Sequence, residues 1–378
     1  MKKMILGPLL VFGLLQNVGI FAAQPVKKPL RRSRSSVRKI RKPVSRKLPP
    51  PVDPTTGDNV DGDELTIRRA AVEALGTIPG SVVVVDPGTG RILTIVNQKL
   101  ALTSGFIPCS TIKLITALAA LTENLVSRNT TVYTSRHTSY NLTQALARSN
   151  NQYFNILGTR LGFDRVRRYA EMMGLGETAG LDVAGELPGI LPAEAPKIGG
   201  VGMMTSFGTG ISMTPLEMAA LLSAIANGGT LYYLQYPHTQ GEIDLFTPKV
   251  KHALDLAPDG IADIKMGMRG AVDFGTARRA GYDPSEPILG KTGTCTDFQS
   301  ANKMGWFGSF NEVGAHQLVV VVMLTGSSGY VSGPIASGVA GGIYKRLSAE
   351  RYFVAGNIPP KPKSDLPEII TGATARQD

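Results

Sequence analysis

The hydrophobic positions of the chain divide it into three zones. Two lysines precede an apolar stretch at residues 4–18, and the polar residues that follow, up to residue 64, show no hydrophobic period. From residue 65 onward the apolar positions recur at the spacings of strands and helices. The pattern predicts a signal peptide or N-terminal anchor at 1–23, a basic, proline-rich tether at 24–64, a folded domain at 65–350 and a tail at 351–378.

Strand patterns occur near both ends of the predicted domain. Residues 81–86 and 91–96 flank a Pro-Gly turn, which predicts a β-hairpin. Later strands are predicted at 288–294, 304–310 and 317–324. The last of these contains an unbroken run of valines, which is typical of a central strand covered on both faces.

Helical spacing of apolar residues fills the region between these strands. The predicted helices span 110–125, 142–157, 164–173, 215–227, 260–272 and 334–347. Strands at both ends with helices between them favour one sheet assembled from the two ends of the chain, with a helical lobe inserted. The expected fold class is therefore α/β, of the α+β type.

The charge distribution limits the partners of the folded part. The chain carries 40 Lys and Arg against 29 Asp and Glu, but 13 of the basic residues lie in residues 1–50, which contain no acid. The remainder is near neutral, so no nucleic-acid partner is expected. Residues 27–47 fit either contact with a membrane or anionic cell-wall polymer, or a solvated spacer, and composition leaves both open.

The apolar stretch near the N-terminus has the layout of an export signal. A short uncleaved anchor is the alternative, because residues 4–23 are just long enough to span a bilayer. Either reading places the domain outside the cytoplasm, in the periplasm or an equivalent compartment. The basic residues after the stretch oppose translocation and are in tension with this expectation.

Cysteine and histidine usage predicts neither a metal site nor a cofactor. The two cysteines, Cys109 and Cys295, do not form a Cys-x-x-Cys motif. The four histidines are scattered singly along the chain, without the clustered spacing of metal ligands.

Three short motifs carry the candidate chemistry. They are Ser110-Thr-Ile-Lys113, Ser149-Asn-Asn151 and Lys291-Thr-Gly293. Each is weak evidence alone, and the first pattern, Ser-x-x-Lys, recurs from Ser36 and from Ser300. Only Ser110 and Lys113 stand at the start of an apolar helix, where residues three apart share a face.

The first two motifs have residue types that suit nucleophilic acyl transfer. A serine hydroxyl is a poor nucleophile without a base, and Lys113 can serve Ser110 if apolar neighbours lower the lysine pKa. A second hydroxyl, on Ser149, could relay a proton to a leaving amine. The Asn151 amide could bind a substrate amide through both its donor and its acceptor.

The third motif lies at the end of a predicted strand. Lys291, Thr292 and Thr294 offer a positive charge and two hydroxyls to a carboxylate, and Gly293 permits close approach of another chain. A phosphate-binding loop is excluded, because that pattern requires glycine where the chain has Ser285.

The ordered set of motifs resembles the penicillin-recognising serine enzymes, the D,D-transpeptidases and serine β-lactamases. Three further segments are similar to the D,D-transpeptidase members of this group, specifically to the transpeptidase domain of penicillin-binding proteins. They are residues 180–189, 207–219 and 305–308. The resemblance implies an antiparallel five-stranded sheet flanked by helices. It also implies a serine D,D-transpeptidase of peptidoglycan cross-linking, with D-Ala-D-Ala stem peptides as substrates and β-lactams as acylating ligands.

The resemblance also implies a role for each motif residue. Ser110 would be the acylated nucleophile, Lys113 the acylation base, Ser149 the proton relay and Asn151 the binder of the substrate amide. The substrate carboxylate would be bound by Lys291, Thr292 and Thr294, and Gly293 would leave room for close approach of the substrate chain. The N–H groups of Ser110 and Thr294 would form the oxyanion hole.

Two other functions remain open on sequence alone. The first is a serine β-lactamase, which needs a further base to hydrolyse the acyl-enzyme. The class A pattern for this base, Glu-x-x-Leu-Asn, is missing from the loop at 185–189. A carbamylated Lys113, as in class D enzymes, is the alternative base that the sequence leaves open. A non-turnover penicillin sensor would acylate and stop. Cys109 and Cys295, beside the motifs, are unexpected in the family and either form a disulfide or remain buried thiols.

Overall fold

The computed structural model describes residues 53–103, 105–297, 300–327 and 329–354. The predicted signal segment and most of the predicted tether and tail lie outside these residues. Within the part of the chain that is described, no helix is long and apolar enough to cross a membrane.

The strands form one large sheet and two small two-stranded sheets. They are β1 (Gly80–Val85), β2 (Ile92–Val96), β3 (Val132–Ser135), β4 (Thr138–Tyr140), β5 (Thr230–Tyr232), β6 (Val250–Ala253), β7 (Ile288–Thr296), β8 (Lys303–Asn311) and β9 (Val319–Gly326). The large sheet has the order β2-β1-β9-β8-β7, and β3 pairs with β4 and β5 with β6.

Every neighbouring pair in the large sheet is antiparallel. The valine-rich β9 is the middle strand, and its residues 319–324 are almost completely buried. The predicted central strand is thereby confirmed. Strand β7, which carries the Lys291 motif, pairs with β8 and forms one edge of the sheet as far as the described residues show.

The helices surround this sheet. They are α1 (Leu65–Leu75), α2 (Gln98–Thr103), α3 (Lys113–Thr122), α4 (Leu142–Ala147), α5 (Asn151–Leu161), α6 (Phe163–Met172), α7 (Gly200–Phe207), α8 (Pro215–Ala226), α9 (Gln240–Asp244), α10 (Gly260–Asp273) and α11 (Gly333–Ala349). Two 3₁₀ turns, Cys109–Ile112 and Arg278–Ala280, complete the elements of the described chain.

Hydrophobic cores lie on both faces of the sheet. On one face, α1 and α11 pack together with Val82, Phe307 and Val320. On the other face, α8 contacts β1, β8 and β9 and shares a core with the helices of the lobe. Every residue of α8 is buried, as expected of a helix that is apolar on all sides. The arrangement confirms the predicted α+β fold with an antiparallel five-stranded sheet.

Two predicted helices differ from the structure. The pattern at 142–157 predicts one helix, but the chain forms α4 and α5 with a break between them, where Ser149 has φ 54°. The Asn150 side chain accepts the N–H of Tyr153 at 2.8 Å and starts a new helix there. The helix predicted at 110–125 begins as a 3₁₀ turn and ends at Thr122.

The last residues of the predicted tether pack on the domain. Arg68 donates hydrogen bonds to Asp58 at 2.8 Å and to Asp63 at 2.9 Å. Asp63 also accepts hydrogen bonds from Thr94 and Tyr236. Because Arg68 and both carboxylates are largely buried, this ion-pair network fixes the segment before α1 to the sheet.

Candidate active site

The predicted nucleophile lies in the 3₁₀ turn that leads into α3. The carbonyl of Pro108 accepts hydrogen bonds from the N–H and the hydroxyl of Thr111, at 3.2 and 2.7 Å, which closes the turn. Cys109, the residue before Ser110, has φ 52°, a left-handed conformation that is uncommon for residues other than glycine. Only 9% of Ser110 is exposed, so the residue is largely removed from solvent.

The Lys113 amine connects the first motif with the second. Its Nζ donates to Ser110 Oγ at 2.9 Å and to Asn151 Oδ1 at 2.6 Å. It also contacts the hydroxyl of Ser149 at 3.1 Å and its carbonyl at 2.9 Å. The four residues that the sequence predicts for the first two motifs are therefore brought to one point.

Burial changes the acid–base properties of Lys113. The side chain is completely buried, and the ring centroid of Phe154 lies 5.6 Å from Nζ. Burial, together with the positive charge of Lys291, lowers the pKa of Lys113 from 10.5 to about 6. At neutral pH most Lys113 amines are uncharged, and an uncharged amine can take the proton of Ser110.

Ser149 lies between the two buried lysines. Lys291 donates from Nζ to Ser149 Oγ at 2.9 Å, and Lys113 Nζ lies 3.1 Å from the same oxygen. The positive φ of Ser149 ends α4 and lets the carbonyl and the hydroxyl of this residue both face Lys113. The Ser149 hydroxyl thus links the two amines through direct hydrogen bonds.

The third motif reaches the site through the alternation of side chains along β7. Residues two apart on a strand share a face, so Lys291, Gly293 and Cys295 all face the turn that holds Ser110. A Cβ at Gly293 would lie 2.9 Å from the carbonyl oxygen of Pro108 and 3.2 Å from Thr111 Cγ2. Glycine is required at this position by close packing of the strand against the turn.

Lys291 is completely buried, and burial lowers its pKa to about 7. Its amine donates to the carbonyl of Thr292 at 2.9 Å as well as to Ser149. The Thr292 carbonyl therefore lies at the free edge of β7. In an antiparallel ladder, alternate residues direct their backbone groups the same way, so the backbone of Thr294 lies at this edge too.

The side chains of Thr292 and Thr294 lie on the face of β7 opposite to Lys291. The hydroxyl of Thr292 shares a hydrogen bond of 2.6 Å with that of Thr276, and the Thr294 hydroxyl accepts the N–H of Gly333 at 2.8 Å. A hydroxyl that accepts one hydrogen bond still has a proton to donate. Of the three residues predicted to bind a carboxylate, Lys291 therefore lies on one face of the strand, and Thr292 and Thr294 lie on the other.

A disulfide joins Cys109 to Cys295, with the two Cα atoms 5.6 Å apart. Of the two alternatives left by the sequence, the bridged form is the one present. It connects the residue before the nucleophile to the residue after Thr294. Within the described residues, no group of three or more His, Cys, Asp or Glu side chains could hold a metal ion.

Sequence reasoning missed several residues that support the site. The indole of Trp306 donates to the carbonyl of Ile107 at 3.0 Å and holds the chain just before the nucleophile. Phe154 covers Lys113, and Thr276 holds Thr292. The spacing of Asn151 and Phe154, three residues apart on one helix, is a signal that could have identified Phe154. Thr276 has no such signal, because it meets Thr292 only in the folded chain.

Comparison with known proteins agrees with this geometry. Residues 80–345 match the family model of the penicillin-binding protein transpeptidase domain. The chain is 29% identical over 284 residues to stage V sporulation protein D of Bacillus subtilis strain 168. It is 24% identical over 392 residues to the peptidoglycan D,D-transpeptidase MrdA of Haemophilus influenzae. These alignments cover 67% and 80% of this chain but only 43% and 58% of the two relatives.

Solved structures show the same fold. The transpeptidase domain of Burkholderia pseudomallei penicillin-binding protein 3 superposes with a TM-score of 0.66 at 21% identity, covering 80% of this chain and 97% of that one. PBPA from Mycobacterium tuberculosis superposes with a TM-score of 0.64 at 22% identity, covering 76% and 81%. With the family model matching most of the chain and the motif residues meeting in one buried site, the chain belongs to the penicillin-binding protein transpeptidase domain family.

Proposed function

We propose that the chain is a serine D,D-transpeptidase that acts on D-Ala-D-Ala stem peptides in peptidoglycan cross-linking and is acylated by β-lactams. The observation that carries this proposal is the buried amine of Lys113, with a pKa of about 6, at 2.9 Å from the Ser110 hydroxyl. An uncharged amine at this distance is an acylation base for the serine. Relatives of the chain are named peptidoglycan D,D-transpeptidases.

In the proposed acylation, Lys113 takes the proton of Ser110 as the oxygen attacks the carbonyl carbon of the penultimate D-Ala. Ser149, bonded to both lysines, passes a proton to the leaving amine of the terminal D-Ala. The acyl-serine is then attacked by an acceptor amine of a second stem peptide, which forms the cross-link and frees Ser110.

The developing oxyanion is stabilised by the N–H groups of Ser110 and Thr294. Ser110 stands at the entrance to a helix, where backbone N–H groups lack partners within the helix, and Thr294 stands at the free edge of β7. An extended stem peptide pairs along this edge, with Asn151 at its amide. Lys291 binds its carboxylate from the face of β7 that contacts Ser149, and the contribution expected of the Thr292 and Thr294 hydroxyls, which lie on the other face, stays a prediction.

The described residues do not support hydrolysis by the class A β-lactamase mechanism, and the class D alternative, a carbamylated Lys113, is decided by the cephalosporin turnover assay below. In the loop where class A enzymes carry their glutamate, the Glu186 carboxylate accepts the N–H groups of Ala179 and Gly180, at 2.8 and 2.9 Å. Among the described residues, the side chains of Ser110 and Lys113 form hydrogen bonds with hydroxyl, amide and carbonyl groups and with no carboxylate.

The proposal is tested with a fluorescent penicillin and a chromogenic cephalosporin. Stable labelling of the full chain without turnover of the cephalosporin is expected, and Ser110→Ala should abolish it. The matched controls are Ser300→Ala and Ser36→Ala, the two other serines in Ser-x-x-Lys patterns, which should label as the unchanged chain does. Labelling that survives Ser110→Ala would remove the assignment of the nucleophile.

A second assay separates the transpeptidase from a sensor that acylates and stops. The full chain is incubated with a pentapeptide stem substrate and an acceptor peptide, and products are followed by mass spectrometry. The transpeptidase releases D-Ala and forms a cross-linked dimer, whereas a sensor releases at most one D-Ala per chain. Release of D-Ala without dimer would identify a carboxypeptidase.

We also propose that the chain is exported and works in the periplasm or an equivalent compartment. The apolar residues 4–18 and the Cys109–Cys295 disulfide support this, because disulfides persist in oxidising compartments. The basic residues 27–47 contact anionic lipid or cell-wall polymer in this proposal. Fractionation of cells expressing the full chain, with protease added to intact spheroplasts, tests the location, and a protected chain would contradict it.

A further inference from the structure

The disulfide occupies a particular place in the site. Cys109 directly precedes Ser110, and Cys295 directly follows Thr294. We propose that the Cys109–Cys295 disulfide positions the N–H groups of Ser110 and Thr294 relative to each other, so that both point at the developing oxyanion. The inference rests on the proposed function, since it assigns two positioning residues to the acylation step.

The turn that holds the nucleophile needs an external restraint. Cys109 has φ 52°, a conformation that a residue with a Cβ disfavours, and its rotation would swing the N–H of Ser110. Trp306 holds the carbonyl of Ile107, and Thr111 closes the turn on the carbonyl of Pro108, but neither hydrogen bond joins the turn to β7. The disulfide is the bond that acts at the strained residue itself.

The strand side needs a restraint as well. Among the strands of the described chain, β7 pairs with β8 alone, so its outer edge, where the backbone of Thr294 lies, has no second strand from these residues to hold it. In the described part of the chain, no hydrogen bond joins residues 109–112 to residues 291–296. Gly293 lies so close to the turn that an added Cβ would be 2.9 Å from the carbonyl oxygen of Pro108, a close approach that is not a covalent link. The disulfide is therefore the specific link between the two halves of the proposed oxyanion hole.

Loss of the link should affect chemistry more than binding. The carboxylate of the ligand is held by Lys291, which is buried and fixed by Ser149 independently of the disulfide. Misplacement of an oxyanion donor weakens an interaction made only in the transition state. We expect the first-order acylation constant to fall about tenfold or more while the dissociation constant of the initial complex changes less than twofold.

The test compares oxidised and reduced full chain with the same penicillin. Dithiothreitol reduces the bridge, each cysteine sulfur gaining one hydrogen while the dithiol closes to its cyclic disulfide, and alkylation counts the free thiols by mass spectrometry. Stopped-flow labelling over a range of penicillin concentrations gives the two constants. Circular dichroism at the same temperature gives the folded fraction, and removal of dithiothreitol with reoxidation should restore the original rate.

The matched control is the double variant C109A/C295A, which lacks the bridge. It should acylate as slowly as the reduced chain and should not respond to dithiothreitol. The inference is overturned if the reduced, folded chain acylates at the oxidised rate, or if the rate falls only in proportion to the unfolded fraction. If instead the oxidised chain is never acylated, the proposed function fails.

Discussion

The protonation state of Lys113 should control acylation, and pH is the simplest perturbation that tests it. Because burial and the neighbouring charge of Lys291 lower the pKa of Lys113 to about 6, the amine is uncharged at neutral pH and charged at pH 5. Only the uncharged amine can accept the proton of Ser110. The second-order acylation constant should therefore rise with pH through this range.

The size of the effect follows from the pKa. With a pKa of about 6, the uncharged fraction of Lys113 is roughly nine-tenths at pH 7 and roughly one-tenth at pH 5, a difference of about tenfold. A lysine with the ordinary pKa of 10.5 would be uncharged in only about three chains in ten thousand at pH 7. Burial and the charge of Lys291 together thus raise the uncharged fraction of Lys113 at pH 7 by about three orders of magnitude.

A second limb is expected on the alkaline side. Burial lowers the pKa of Lys291 to about 7, so its positive charge is lost as pH rises, and with it the charge-assisted contact to the ligand carboxylate. The profile of the second-order constant should be bell-shaped, with a maximum between pH 6 and 7. Because Ser149 links the two amines, the midpoints belong to the pair and not to either lysine alone.

The assay is fluorescent-penicillin labelling under second-order conditions from pH 4.5 to 9.5, with the fold monitored by circular dichroism. Lys291→Arg is the matched variant, because arginine keeps its charge over the whole range. It should lose the alkaline limb and retain the acid limb. A rate that stays constant between pH 5 and 7 would refute the role of Lys113, and an alkaline limb that persists in Lys291→Arg would refute that of Lys291.

Three further predictions concern packing and stability. Gly293→Ala should abolish acylation, because the new Cβ would lie 2.9 Å from the carbonyl oxygen of Pro108, whereas Gly241→Ala, with nothing within 4 Å, should label normally. Thr276→Val should lower the free energy of unfolding by about 1 kcal/mol, measured by urea titration, by removing the partner of Thr292; an unchanged value would show that this hydrogen bond contributes nothing. Between pH 7 and 9 the free energy of unfolding should rise with pH, because Lys113 and Lys291 have lowered pKa values and the unfolded chain binds protons that the folded chain lacks. Each lysine contributes a slope of at most about 1.4 kcal/mol per pH unit. Comparison with the methionine variants isolates this contribution, and a contribution that falls with pH would contradict the lowered pKa values.

Much of the fold could be predicted from the sequence because local pattern and tertiary environment agree there. The valine run of β9 is apolar at every position, and a strand of that kind is stable only with both faces covered. The apolar run of α8 predicts a buried helix for the same reason, and Thr214 and Glu217 mark its start as a capping box. The break at Ser149 could not be predicted, because the helical spacing of apolar residues continues across it.

The sequence by itself determined which residue types were available for the chemistry, in which order, and on which elements Ser110 and Lys291 lie. Only the tertiary structure decided their properties. It placed two lysine amines on the single hydroxyl of Ser149 and removed them from water, and this desolvation is what lowers their pKa values. It also closed the Cys109–Cys295 bridge across 186 residues of sequence. Distances and dielectric environment arise from packing of segments far apart in the chain, and no local pattern encodes them.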